Sequence, residues 1–524
     1  IIPHILIFVN SNFAFLYIFF VFSQHKRVKN SLSKGAFVLM ISGLICKFFG
    51  ALFRLPLTNI LSLQGIGIFQ MVMSLYSLSL SLVSGGVTSA LSKLVSGARA
   101  RRQEVKIGGY FRYGLLFSGC ISLAIGAFFF IFSNFIAVVQ GAPQASASYM
   151  LLALLLPLGA VIGVLRGIVQ GYENMTPTAI SQIIEQAFKF CFGLLFAQLF
   201  SQSSGGGVFG AFLGITIAEA LALIYLTFVL RKSKIKLSRY NVRKEFFKAV
   251  TPLTLSNVIL PLAFAIETLI IVSLLASAGL SGEDATTLYG LSSGVVGAIM
   301  HFPLVISLSV AVSLLPKISF LSAKKDAEAE KRVVGKAFSM MWFLLFPLVV
   351  GINSIARVLY PLIYPSVTGE LLTIACQLSL LSGIAVVLNG FSQVLNSILQ
   401  AKGFYNYSLM FLALGGIGKV LSLIIFTPIA NINIFALPIS NIVLYSIICI
   451  CALIKLGSAV KINFFNFSLP LLSSIVMYMV VKLWLTLSSS IFGIIGAVIL
   501  GGLTYLILCL PLVLEYSKGF KRQT

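Results

Sequence analysis

The chain has 524 residues, of which 59% are hydrophobic and 10% charged, with 37 Lys and Arg against 13 Asp and Glu and a net charge of +24. A mean hydropathy of +1.05 excludes an ordinary soluble domain, in which roughly a quarter of the residues are charged. The basic excess does not indicate nucleic acid, because the Lys and Arg lie in short connections between apolar stretches, where they set topology and face anionic lipid.

In chain order, residues 1–30 form an apolar segment that ends in His25, Lys26 and Arg27. It lacks the basic start and small-residue cleavage site of a signal peptide and is read as an extra, artefactual or dispensable segment outside the core fold. About 20 apolar residues cross a hydrocarbon core, which gives about fourteen spans in the rest of the chain. They fall near 36–58, 67–92, 109–132, 148–170, 178–201, 208–230, 247–277, 288–315, 336–360, 371–399, 406–427, 433–456, 465–487 and 491–514. The expected fold is therefore an all-α polytopic membrane protein.

The connections alternate. Those at 26–34, 93–112, 166–173, 231–248, 317–336, 402, 455–461 and 518–522 carry the Lys and Arg, whereas 58–67, 133–148, 201–207, 277–290 and 360–370 carry none. By the positive-inside rule the basic set is cytoplasmic, and an even number of spans places both ends of the core there.

Ionisable residues inside spans are costly and are functional candidates by default. Span one holds Lys47 and Arg54, seven residues or about two turns apart and so on one face. Arg54 lies near the outer end, where a side chain can snorkel to the headgroups. Lys47 is about 16 Å from either end at 1.5 Å per residue, too far to snorkel; it should face protein or a wet cavity, as one rung of a basic ladder for an anionic group. Arg166, near the end of span four, is expected to snorkel, as are Arg357 and Lys482. Span five opens on Thr176 and Pro177, a cap followed by proline at the first helical position. Ser181, Gln182, Glu185, Gln186 and Lys189 then form one polar face. Glu185 either pairs with Lys189 one turn on or lines a vestibule. Glu219 and Glu267 are isolated carboxylates, each suited to pairing with a buried cation or binding a coupling ion. Pro252 and Pro261 should bend or open span seven beside Glu267. His301 reads as a hydrogen-bonded interior histidine, and Lys419 sits inside span eleven.

A duplication is visible. The Ile-x-Gln triplets at 168–170 and 398–400 precede Lys189 and Lys419 by equal intervals, both pairs being offset by 230 residues, and Gly67 precedes Lys93 by 26 residues as Gly290 precedes Lys317 by 27. Six spans per repeat give two bundles of one orientation, related by a pseudo-two-fold along the membrane normal, the architecture of a transporter. The expected divisions are 31–245, 246–460 and an appended pair with its tail, 461–524. Three histidines, and seven cysteines that all lie in apolar segments, leave no metal or disulfide framework; no ATP-binding domain or enzyme site is evident, so any driving force is a gradient or a coupling ion of unread identity.

The residues then point to a family. The stretch from Cys46 through Lys47, Arg54 and Pro56 to Thr58, the Gly65-Ile-Gly-Ile-Phe-Gln70 and Gly85-Gly-Val-Thr-Ser-Ala-Leu-Ser-Lys93 segments, and the run from Gln170 through Thr176 to Glu185 resemble the stage V sporulation protein B-like family of polysaccharide and lipid II flippases. That family lies within the multidrug/oligosaccharidyl-lipid/polysaccharide exporter superfamily. The likeness runs from about residue 31 to 515. It implies fourteen helices, a bacterial cytoplasmic membrane, no enzymatic activity, and flipping of an undecaprenyl-pyrophosphate-linked, lipid II-like precursor for the cell wall, with sporulation as one setting. It also implies that Lys47 and Arg54 of span one line the central cavity; with the residues read from the other spans, the candidate cavity set is Lys47, Arg54, Glu185, Lys189, Glu267, His301 and Lys419. The cavity arginines that such flippases carry in spans two and eight are absent; only Lys93 and His301 stand there. The expected partners are a lipid-linked oligosaccharide and membrane lipid, with a monomer as the simplest state. Two alternatives stay open: a cation-coupled multidrug exporter of the same superfamily, and a scaffold that recruits wall or spore-coat enzymes.

Overall fold

A computed structural model describes residues 31–232, 240–324, 326–457, 464–487 and 491–512. The extra segment expected at 1–30 lies outside them. The described residues form helices and turns, with no strand among them. The order is α1 (Ser31–Leu80), a π-helical turn (Ser81–Gly85), α2 (Gly86–Ala100), α3 (Val105–Val139), α4 (Ser146–Gly171), α5 (Thr176–Leu199), α6 (Gly206–Lys232), α7 (Arg243–Ser277), α8 (Gly282–Tyr289), a second π-helical turn (Gly290–Val296), α9 (Gly297–Met300), α10 (Leu304–Ala323), α11 (Ala327–Ile363), α12 (Gly369–Ala401), α13 (Tyr405–Phe426), α14 (Ala436–Leu456), α15 (Phe464–Leu487) and α16 (Ile491–Leu508).

Among the described residues, 11 helices are long and apolar enough to cross a membrane, or 12 if the pair on either side of 301–303 is one broken span. The count differs from the expected fourteen at two places. The first of the 11 is Ile41–Ala100, 60 residues long, with a break at Ser62 (φ 67, ψ 173) inside the connection expected at 58–67. Phe492–Leu508 falls below the length of a full crossing. Exposed Leu123, Ile131, Phe135, Ile424 and Phe492 belong in lipid, where a helix satisfies its own backbone. The chain is an all-α, multi-pass membrane protein.

Span seven is not opened at its two prolines. α7 runs as a single 35-residue helix through Pro252 and Pro261. The interruption comes instead in span eight, at the second π-helical turn and at 301–303.

The chain divides into two compact units, one of Asn30–Ile299 with Leu412–Leu444, the other of Met300–Phe411 with Tyr445–Thr524. In the first, α5 packs on α6, α3 on α4, and α1 on α5 and on the second π-helical turn. Small residues permit the closest crossing: a Cβ on Gly67 would lie 3.1 Å from the Gly290 nitrogen, and one on Gly290 would overlap the Leu63 carbonyl. Such contacts drive helix association where lipid removes the hydrophobic gain. Tyr149 donates to the Gln140 side-chain oxygen, and Gln140 donates in turn to the Thr268 carbonyl and hydroxyl, both at 3.3 Å. In the second unit, α10 packs on α12 and α11 on α15. Trp342 stacks on Phe346 and donates to the Phe467 carbonyl at 2.9 Å, and Lys402 pairs with Glu330 at 2.8 Å.

Candidate functional site: a basic cluster and a sealed ion pair

All but one of the candidate residues read from the sequence fall in the first unit, in two groups. The first group is built on α1, α4, α5 and α6. α1 and α5 are held together by aromatic contacts, with Phe49 and Phe190 centroids 6.4 Å apart and Phe53 seated over Gly193, where a Cβ would come within 2.7 Å of its ring. That register places the polar face of α5 beside Arg54 and Phe53. Lys189 lies 5.3 Å above the Phe53 ring, within electrostatic reach of Arg54, Glu185 and Glu219. Lys47 is exposed, and among the described residues no carboxylate is in ion-pair distance of it.

Arg166 does not snorkel. It turns from α4 onto α5, where Nη2 meets Glu185 Oε2 at 2.9 Å and Nε donates to Ser181 Oγ at 3.0 Å. The planar guanidinium holds these two bonds in one fixed geometry, which a flexible ammonium does not. Glu185 therefore pairs across helices with Arg166 rather than along its own helix with Lys189, and it also accepts from Gln186 at 3.2 Å. Ser42 of α1 donates to Gln182 at 3.4 Å, completing a polar seam between α1 and α5. Behind it, Glu219 of α6 is 4% exposed and accepts from the Tyr76 hydroxyl. Four cations, Lys47, Arg54, Arg166 and Lys189, thus share this region with two carboxylates.

The second group is compact and closed. The Lys419 side chain is fully buried, its Nζ 2.5 Å from Glu267 Oε2 and 2.5 Å from Asn441 Oδ1, and it lies 4.4 Å over the Phe264 ring. Sequence reasoning flagged both charges but not their mutual pairing, nor Asn441 or Phe264. His301 belongs to the other unit, where it is exposed in the turn at 301–303.

Each group seats a lysine over a phenylalanine: Lys189 of span five over Phe53 of span one, Lys419 of span eleven over Phe264 of span seven. These are the lysines that the 230-residue offset pairs. The neighbours differ in sign, Arg54 following Phe53 and Glu267 lying close after Phe264.

Residues 32–322 match the model of a family described as polysaccharide biosynthesis protein. The chain belongs to that family. The matched region of this polysaccharide biosynthesis family member contains Lys47, Arg54, Arg166, Glu185, Lys189, Glu219, Glu267 and His301, whereas Lys419 lies beyond it. The chain is also similar to stage V sporulation protein B of Bacillus subtilis (strain 168), 23% identical over 310 residues. That match spans 56% of this chain and 58% of the relative, somewhat over half its length. Among solved structures, the fold resembles lipid II flippase MurJ in an inward closed conformation, with a TM-score of 0.71 at 15% identity over 90% of this chain and 98% of that one. It also resembles an inward-facing multidrug resistance MATE family transporter of the MOP superfamily, with a TM-score of 0.62 at 14% identity over 78% and 98% of the two chains. The family member thus has the MOP-superfamily fold.

Proposed function

We propose that the chain is an alternating-access transporter of the bacterial cytoplasmic membrane that flips an undecaprenyl-pyrophosphate-linked cell-wall or polysaccharide precursor from the inner to the outer leaflet. The observation that carries this reading is the net-positive cluster on α1, α4 and α5, with Lys47 exposed and, among the described residues, no carboxylate in ion-pair distance of it. A pyrophosphate crossing a bilayer must give up water, and cations in a low-dielectric site replace that water with charge-assisted bonds. Lys47 and Arg54, stacked two turns apart on α1, form successive stations for it, and the neutral sugars pass beside the polar seam of Ser42, Gln182 and Gln186. The lipid tail stays in the bilayer. The similarity to stage V sporulation protein B and the fold shared with the lipid II flippase agree with this cargo class. The two six-span halves, 31–245 and 246–460, act as the alternating elements, both core termini being cytoplasmic, and the pair 461–524 is an accessory to them.

A cationic drug is the poorer fit as cargo, because Glu219 and Glu267, the isolated carboxylates expected to serve it, are buried and engaged by Tyr76 and Lys419.

Flipping of fluorescent lipid II in proteoliposomes tests the proposal. Wild type should flip it, and Lys47→Ala and Arg54→Ala should abolish flipping while reconstituting normally. Flipping that survives both substitutions would overturn the basic ladder, and folded wild type that does not flip lipid II would overturn that cargo.

A further inference from the structure

Glu219 borders the basic cluster but, among the described residues, makes no ion pair with it. It lies in the middle of α6 and is 4% exposed. One carboxyl oxygen accepts from Tyr76, and the other, Oε2, is buried with no hydrogen-bond partner. Its wall on that side is apolar and tight: a Cβ on Gly159 would lie 3.5 Å from Oε2 and would collide with Leu80 Cδ1 at 2.6 Å. An ionised carboxylate has about four lone-pair sites to satisfy, and an unpaired anion in such a site is costly. A single proton removes the charge and leaves one bond to Tyr76.

The surroundings connect that proton to a part of the fold built to rearrange. Tyr76 and Leu80 precede the π-helical turn Ser81–Gly85, and such turns are strained insertions in a helix, often at functional sites. Gly163 of α4 faces Ser84 in that turn, so closely that a Cβ would come within 2.5 Å of the serine. Relaxing the turn to α-helix would rotate Tyr76 against Glu219. The titratable groups that act on Glu219 from the elements packed around α6 are Tyr76 from α1, Arg166 from α4, and Glu185 and Lys189 from α5, the last three through space; the others described on those helices, Cys46, Lys47 and Arg54 of α1, Tyr149 of α4 and Cys191 of α5, do not act on it. The turn Pro143–Ala145, which also touches α6, carries none. Lys189 and Arg166 are therefore the charges that can hold the anion once the proton leaves.

We infer that Glu219, with Tyr76, is a proton-binding site whose occupancy follows the π-helical turn of span two, so that a proton taken from water on one side of the membrane and returned to water on the other drives the cycle. This coupling rests on the transporter reading above; the proton site itself does not.

Infrared difference spectroscopy of the full chain in lipid tests the site without any cargo. Wild type should show a protonated-carboxyl band at neutral pH that is lost in Glu219→Gln and shifted in Tyr76→Phe. Absence of the band, or a band that neither substitution touches, would overturn the site; should Glu219→Gln not fold, the Tyr76→Phe shift alone decides. In proteoliposomes, an imposed pH gradient should accelerate lipid II flipping in wild type and leave Glu219→Gln unchanged. An equal response in both would overturn the coupling. If wild type flips no lipid II, the cargo is wrong and the infrared band still rules on Glu219.

Discussion

Replacing Lys419 with methionine keeps the length of the side chain and its contact with Phe264 but removes the charge that faces Glu267 and Asn441. The Glu267 carboxylate, 6% exposed, then has no counter-charge, and breaking one half of a buried pair costs about 3–5 kcal/mol. The Asn441 carbonyl loses a charge-assisted bond of about 1.5–3 kcal/mol, but the two losses overlap because one ammonium makes both contacts. The single variant should therefore lose about 4 kcal/mol. Replacing both charges, as Lys419→Met with Glu267→Gln, leaves no ion buried alone, and such exchanges are often close to neutral. A coupling energy of about 3 kcal/mol between the sites is expected, at the upper end of measured pairs. With the other five cysteines replaced by serine, labelling of the buried thiols Cys449 and Cys509 by a thiol-reactive dye during heating in detergent reports unfolding. A Lys419→Met protein that melts with wild type, or a double variant whose loss is the sum of the singles, would refute the claim that this pair is a closed structural element.

Two further outcomes follow from the packing. Gly290→Ala places a methyl group against the Leu63 carbonyl, a backbone atom that cannot turn aside; the α1 crossing must open, at a cost of about 1–3 kcal/mol for overpacking, read as a lower melting temperature in the same thiol assay. Arg166→Ala leaves Glu185 without its guanidinium partner, and Arg166→Lys restores the charge but not the rigid planar geometry that holds Glu185 and Ser181 together. Flipping should fall in the order wild type, lysine, alanine, and a lysine variant that flips as fast as wild type would show that the planar geometry is irrelevant.

Much of the fold is legible in the sequence because hydropathy adds along the chain: a run of apolar residues is a crossing whatever packs beside it. The break at Ser62 lies where a basic-free connection was expected, and the polar face of α5 follows from i, i+4 spacing alone. Pairing is not additive in this way. Arg166 lies near the end of its span, which favours snorkelling until α5 is seen to pass within reach with Glu185 and Ser181 turned towards it. Tyr76 and Glu219 are 143 residues apart, and a tyrosine in an apolar helix carries no sign that it will cap a carboxylate. Nor do two prolines open α7, since a helix supported by neighbours tolerates the missing donors that would break it in water.

The two lysine-on-phenylalanine seats differ in what they leave for an anion. In span one the residue after Phe53 is Arg54, so Lys189 faces a like charge, with Glu185 and Glu219 as the carboxylates within its electrostatic reach. In span seven Glu267 follows Phe264 by three residues, about one turn, and the Lys419 charge is consumed internally, with an amide oxygen completing the shell. A seat with two like charges is unstable unless a ligand or nearby carboxylate relieves it, whereas a neutral seat is stable empty. Two seats that differ in this one sign would give a transporter one self-compensated seat and one whose electrostatic energy depends on its cargo. Exchanging Arg54 for glutamate should convert the first seat to the second kind. The expected result is a protein at least as stable as wild type that no longer flips an anionic lipid, and a variant that is less stable yet still active would show that Arg54 does not face Lys189 during transport.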